Sequence, residues 1–180
     1  MRATSVAAAA TATATAFLLA GTCAAVSNAP GFELPLLDGS KFVRAADFSG
    51  RPLLVNFWAS ECPPCVNEMP LLAAQAARHP AAQFIGVAVD GRARALRFLW
   101  GRPSVYPQLE APRQPEVLLR RFGNLQAALP FTVVLDPAQR ICASRQGEVD
   151  ARWISAALAA CAAPASGTTL PAARSEQGWR

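Results

Sequence analysis

The chain lacks a second pair of closely spaced metal ligands. Cys62 and Cys65 stand two residues apart, but neither the lone histidine, His79, nor the isolated Cys142 supplies a matching pair. A tetrahedral zinc site needs a further pair at comparable spacing, so zinc is excluded. Basic runs are missing too. Arginine supplies 16 of the 17 basic residues, scattered along the chain and nowhere alternating with aromatics. The formal net charge of +5 therefore does not mark a nucleic-acid surface, and no nucleic acid is expected as a partner. At 180 residues the chain is long enough for one domain with a substantial core and too short for two.

Charge of either sign is absent between Arg2 and Glu33. Alanine and threonine fill residues 6–20, ending on Phe17, Leu18 and Leu19, with small residues from Thr22 to Ala25. A basic start, an apolar stretch and a small-residue exit are the parts of a secretory signal. Residues 1–25 are thus expected to be a signal peptide, with an N-terminal membrane anchor as the competing reading. Alanine and threonine partition weakly into a bilayer, which favours cleavage. A lipid anchor on Cys23 is disfavoured because Thr22, not glycine or alanine, precedes it. Export places the protein in the periplasm, where unpaired thiols are a liability. Four cysteines remain after signal removal, Cys62, Cys65, Cys142 and Cys161, enough for two pairs.

Residues 30–163 read as one α/β domain. "FELPLLDGSKFV" predicts a hairpin turning at Asp38 and Gly39. "RPLLVNFW" and "QFIGVAVD" are apolar runs suited to strands buried on both faces. A helix is predicted over Pro63 to Arg78, a second from about Ala93 to Gly101, and a short one over "EVLLRRFG". "GRPSVYPQLEAPRQP" reads as irregular. "FTVVLD" and "ICASR" predict an antiparallel hairpin at the sheet edge, and a last helix starts after Asp150, a good N-cap. This order implies a mixed central sheet with helices on both faces. Residues 164–180 are small and polar, and a disordered tail is expected.

The cysteine pair falls where a buried strand gives way to a helix. Free N–H groups and the positive end of the helix dipole point at Cys62 and stabilise its thiolate. Pro63 and Pro64 cost little in a first turn whose N–H groups lack intrahelical partners. Cys65 lies one turn on, within disulfide reach and partly covered. Cys62 is therefore the nucleophile and Cys65 the resolving thiol of a redox couple. A structural bridge across so tight a loop would add little.

"LLVNFWASECPPCVNEMP" resembles the active-site segment of thioredoxin-fold proteins. It is most similar to the exported branch that includes TlpA, ResA and the cytochrome c maturation thioredoxins. The resemblance implies a thioredoxin-like fold with an N-terminal β-hairpin extension and a disulfide oxidoreductase needing no cofactor. Its substrates would be protein disulfides, for example in apocytochrome c or copper-site maturation. A membrane electron donor of the CcdA or DsbD type would keep the pair reduced. "ALPFTVVLD" is similar to the family's cis-proline segment, which makes Pro130 the candidate cis-proline and Leu129 the residue before it, in a loop that pairs with substrate. Trp58, before the motif, is placed with them in substrate binding and is expected to shield the disulfide from one side.

The chain departs from the family at several positions. Asn56 stands where cytosolic thioredoxins carry a proton-accepting aspartate, as is common in the exported branch. Asp90 is the only acid near the site after the second main strand, where ResA-like proteins place a glutamate. Glu68 reads as a helix-surface carboxylate and ranks low. Glu61 replaces the usual tryptophan. A carboxylate beside Cys62 disfavours its thiolate and makes the couple more reducing, an effect muted by solvent. Pro63 and Pro64 join Glu61 as tuning positions. Whether Cys142 and Cys161 form a structural disulfide stays open at this level. Two rival functions are kept. One is a peroxiredoxin-type peroxide reductase, although "FWASEC" lacks that family's proline and threonine spacing. The other is a copper carrier using Cys62 and Cys65 as soft ligands.

Overall fold

A computed structural model of the chain describes residues 27–28 and 30–162. The signal or anchor over 1–25 and the tail over 164–180 lie outside the described residues.

The central sheet has six strands: β1 (Ser27–Asn28), β4 (Leu53–Trp58), β5 (Gln83–Ala88), β6 (Gln108–Glu110), β7 (Phe131–Leu135) and β8 (Arg140–Gln146), in the order β1-β8-β7-β4-β5-β6. β4, β5 and β6 run parallel, and β7, β8 and β1 are antiparallel additions. A separate hairpin pairs β2 (Glu33–Pro35) with β3 (Phe42–Arg44). Gly39 takes the left-handed φ of 75° that its turn requires. Among the described residues there are also four α-helices: α1 (Pro63–Arg78), α2 (Arg92–Leu99), α3 (Pro115–Arg121) and α4 (Ala151–Ala162). The mixed sheet, the helices on both faces and the hairpin extension are as expected. Among the described residues no helix is long and apolar enough to cross a membrane.

Alternation along β4 divides the core. Leu53, Val55 and Phe57 face one layer with Leu118, Leu119 and Phe122 of α3 and its end, together with Leu34 and Val43 of the hairpin. Leu54 faces the other, with Leu72 of α1 and Ile154, Ala157 and Leu158 of α4. Burial on both faces is why β4, β5 and β7 read as nearly unbroken apolar runs.

Two expectations need correction. The stretch 101–115 is not wholly irregular, because Gln108–Glu110 forms β6, an edge strand parallel to β5. Three residues are too few for a periodicity to show. Its pairing depends on Gly86, whose missing side chain makes room for that of Gln108. The hairpin of β7 and β8 also sits deeper than the sheet edge: β7 lies against β4, and β1 lies outside β8.

A disulfide joins Cys142 on β8 to Cys161 on α4, with Cα atoms 5.8 Å apart. It closes a span of 19 residues, for which loop entropy gives about 3 kcal/mol. The Cys142→Ser/Cys161→Ser double variant should therefore lose roughly that much stability in urea. No loss would mean that packing alone holds α4.

Candidate active site

Strand β4 delivers the chain to the foot of α1. Cys62 is the N-cap residue, with extended φ and ψ of −104° and 98°, and Pro63 and Pro64 occupy the first helical turn. Prolines fit there because their missing N–H groups would have had no helical partner. The first turn's Cys65 N–H donates instead to Cys62 Sγ at 3.3 Å. A donor already aimed at this sulfur, with the helix dipole behind it, stabilises negative charge on Cys62. The two cysteines form a disulfide with Cα atoms 5.2 Å apart. Cys62 is partly exposed, whereas Cys65 is fully buried. An incoming thiol can therefore reach only the first sulfur.

Beneath the pair lies Trp58, completely buried among Cys65, Leu37, Ala88 and Ala95. Its indole Nε1 donates to Gln108 Oε1 at 2.8 Å, and Gln108 donates to Ser104 Oγ at 2.9 Å. Trp58 shields the disulfide from below, but it does not reach the surface. Its assignment to substrate binding is corrected for that reason. The Leu129–Pro130 peptide bond is cis, and Leu129 packs on the same cluster as Cys62 and Cys65. The loop before it hangs on buried Asn124, whose Nδ2 donates to the Ala128 carbonyl at 2.7 Å and whose Oδ1 accepts from Ala128 N–H and Gln146. Nothing in the sequence singled out Asn124.

The loop before Cys62 is clasped by Asp90. One carboxylate oxygen accepts from the Ser60 N–H at 2.8 Å and from the Ser60 hydroxyl, while the other is buried without a partner. Glu61 points outward, with its carboxylate 3.8 Å from Arg94 of α2 and both side chains largely exposed. Arg94 offsets part of the field that Glu61 exerts on Cys62. Among the described residues no group of three or more His, Cys, Asp and Glu side chains is placed to hold a metal.

The residue that sequence reasoning misplaced is Glu68. It is 3% exposed, and its carboxylate accepts from Asn56 Nδ2 at 2.7 Å and from the Val149 N–H at 3.0 Å. Asn56 also donates to Thr132 Oγ1 at 3.1 Å, and its own carbonyl oxygen is left without a partner. Burial pushes the Glu68 carboxyl above its ordinary value of 4.5, outweighing the two hydrogen bonds that favour the anion. Glu68 thus holds a proton at a pH where surface glutamates have lost theirs, three residues along α1 from Cys65. The sequence did carry a signal: position 68 shares the inward face of α1 with Cys65, Leu72 and Gln75.

Two outcomes follow. A carboxyl raised in the folded state stabilises the fold below pH 4.5, and that contribution is lost as pH rises through the raised value. Between about pH 4 and about pH 8, wild type should lose urea resistance relative to Glu68→Gln; parallel curves would contradict the raised value. Glu61→Trp should lower the Cys62 thiol pKa in the reduced protein, by less than about one unit because the carboxylate is exposed. An unchanged value would remove Glu61 from the tuning set.

Comparison with known proteins agrees with this geometry. A stretch of 43 residues, 24% of each chain, is 46% identical to the thiol:disulfide interchange protein DsbE of Pseudomonas fluorescens. Another of 45 residues, 25% of each chain, is 41% identical to the thiol-disulfide oxidoreductase ResA of Bacillus thuringiensis. The matches thus span about a quarter of these curated relatives. A solved structure described as a DsbE-type interchange protein of Chlorobium tepidum superposes with a TM-score of 0.65 at 25% identity, covering 74% of this chain and 96% of that one. The sequence profile of the AhpC/TSA family matches residues 26–152, so the chain belongs to the AhpC/TSA family, in its thioredoxin-like form.

Proposed function

We propose that the protein is an exported thiol–disulfide oxidoreductase that reduces disulfides of client proteins in the periplasm. The observation that carries this reading is the asymmetric pair at the foot of α1, one sulfur reachable and held by an N–H donor, the other buried. The likeness to proteins named DsbE and ResA supports it.

In the reduced enzyme the Cys62 thiolate attacks one sulfur of a client disulfide. The client's other sulfur leaves as a thiolate, and a mixed disulfide joins Cys62 to the client. Deprotonated Cys65 then attacks Cys62 Sγ, releasing the second client sulfur and restoring the Cys62–Cys65 disulfide. Two electrons pass to the client, which takes up two protons. The loop of Leu129 and Pro130 is where an extended client segment would pair. Asn56 cannot accept the Cys65 proton. Recharging the pair falls to a membrane donor of the CcdA or DsbD type, and apocytochrome c or copper-site proteins are the client class.

The equilibrium potential of the Cys62–Cys65 couple tests the direction of flow. A value near that of thioredoxin, about −270 mV, with turnover of insulin disulfides, is expected for a reductase. A value near that of DsbA, about −120 mV, would make the protein an oxidant. Peroxide consumption without insulin reduction would favour the peroxide reductase, and stoichiometric Cu(I) retention without it would favour the carrier.

A further inference from the structure

Helix α2 and the loop after it carry charge of one sign only. From Gly91 to Leu109 there are four arginines, at 92, 94, 97 and 102, and no acidic residue. Trp100 in the same stretch is 87% exposed, and Leu96 and Val105 are exposed as well. Arg94 is turned toward Glu61 and the Arg92 guanidinium covers Gly39. Arg97 and Arg102 have no acidic partner among the described residues. Arg102 instead donates to the Phe98 carbonyl at 2.8 Å and lies 4.8 Å over the Phe98 ring. These contacts hold its charge at the mouth of a cavity.

The cavity, of about 360 Å³, opens between α1 and α2. Val66, Met69 and Pro70 form one wall, Phe98, Leu99 and Tyr106 the other, and Arg102 is the only charged side chain lining it. Its size lies within the range of about 300–1,000 Å³ typical of ligand sites. It adjoins the redox pair: Val66 follows Cys65 in α1, and the Phe98 ring packs 5.6 Å from the Trp58 ring beneath the disulfide. Neither Cys62 nor the Leu129–Pro130 loop lines it, so an occupant leaves the reactive sulfur and the substrate loop free.

We propose that this cavity docks an acidic segment of a redox partner protein. An apolar side chain of the segment seats between α1 and α2, and a flanking Asp or Glu residue meets Arg102. The proposal rests on the oxidoreductase reading and names the chemistry of its partner. Charge complementarity sets the sign, since Arg102, the one charged side chain among the residues that line the cavity, repels a basic segment and draws an acidic one. The recessed apolar walls fit a single side chain of a protein segment.

The test is selection of random twelve-residue peptides displayed on phage against the full oxidised chain, with Arg102→Glu and Ala73→Trp as variants. Ala73 lines the cavity and is not part of the redox site. Recovered peptides should place an aromatic or aliphatic residue beside an acidic one. Synthetic copies should bind wild type in a salt-sensitive way and bind each variant at least about tenfold more weakly. Insulin reduction by both variants should match wild type. Should Ala73→Trp unfold, Arg102→Glu alone decides. No recovered peptide, no acidic bias, or equal binding to Arg102→Glu overturns the docking site. Co-sedimentation with phosphatidylglycerol vesicles that Trp100→Ala abolishes, with no peptide selected, gives the surface to lipid. Failure of wild type to reduce insulin would instead overturn the oxidoreductase reading.

Discussion

The start of α1 is the constraint on which the rest of the site depends. A helix must begin somewhere, and its first N–H groups have no carbonyl to meet. Here the chain fills that vacancy with sulfur: Cys62 caps the helix and takes the Cys65 N–H. Every neighbouring feature can be read as support for that junction. Trp58 ends β4 as a buried floor beneath it, and Asp90 holds the connecting loop through Ser60. Gly86 and Gln108 exist in their present relation because the floor's indole needs an acceptor.

A second layer of order runs through buried polar groups. Thr132 on β7, Asn56 on β4, Glu68 on α1 and the Val149 N–H before α4 form one hydrogen-bonded chain. It crosses from the sheet through α1 to the last helix. The Cys142–Cys161 disulfide fixes α4 to β8 at the other end of α4. His79, at the end of α1, meets Gln75 and Ser155, tying the same two helices again. Burying a carboxylate in such a chain is costly unless its bonds are made, and Glu68 makes two. The raised carboxyl pKa is what remains after those bonds have offset part of that cost.

Much of this was legible in the sequence, and the reasons are specific. The helix from Pro63 to Arg78 appears with the bounds its proline start and apolar spacing predicted. The cysteine pair stands out because chemistry of that kind needs both sulfurs within one turn, which a linear pattern displays directly. Glu68 was misread because a charged residue near a helix start is favourable on the surface, although its spacing from Cys65, Leu72 and Gln75 puts it on the inward face of α1. Trp58 was misread in the opposite direction, as a substrate-binding residue, because adjacency in the chain says nothing of depth. Asn124 and β6 escaped altogether. Each acts through partners distant in sequence, Gln146 for the first and Gly86–Ala88 for the second.

The account's central claim is that the foot of α1 makes Cys62 the reactive sulfur. Alkylation of the fully reduced protein across pH, with each labelled cysteine identified by mass, addresses it most directly. The account predicts that Cys62 reacts first, with a midpoint below the ordinary cysteine value of about 8.5, and that Cys65 stays unlabelled until higher pH. Equal labelling of the two, or a Cys62 midpoint at or above that of a free cysteine, would contradict it.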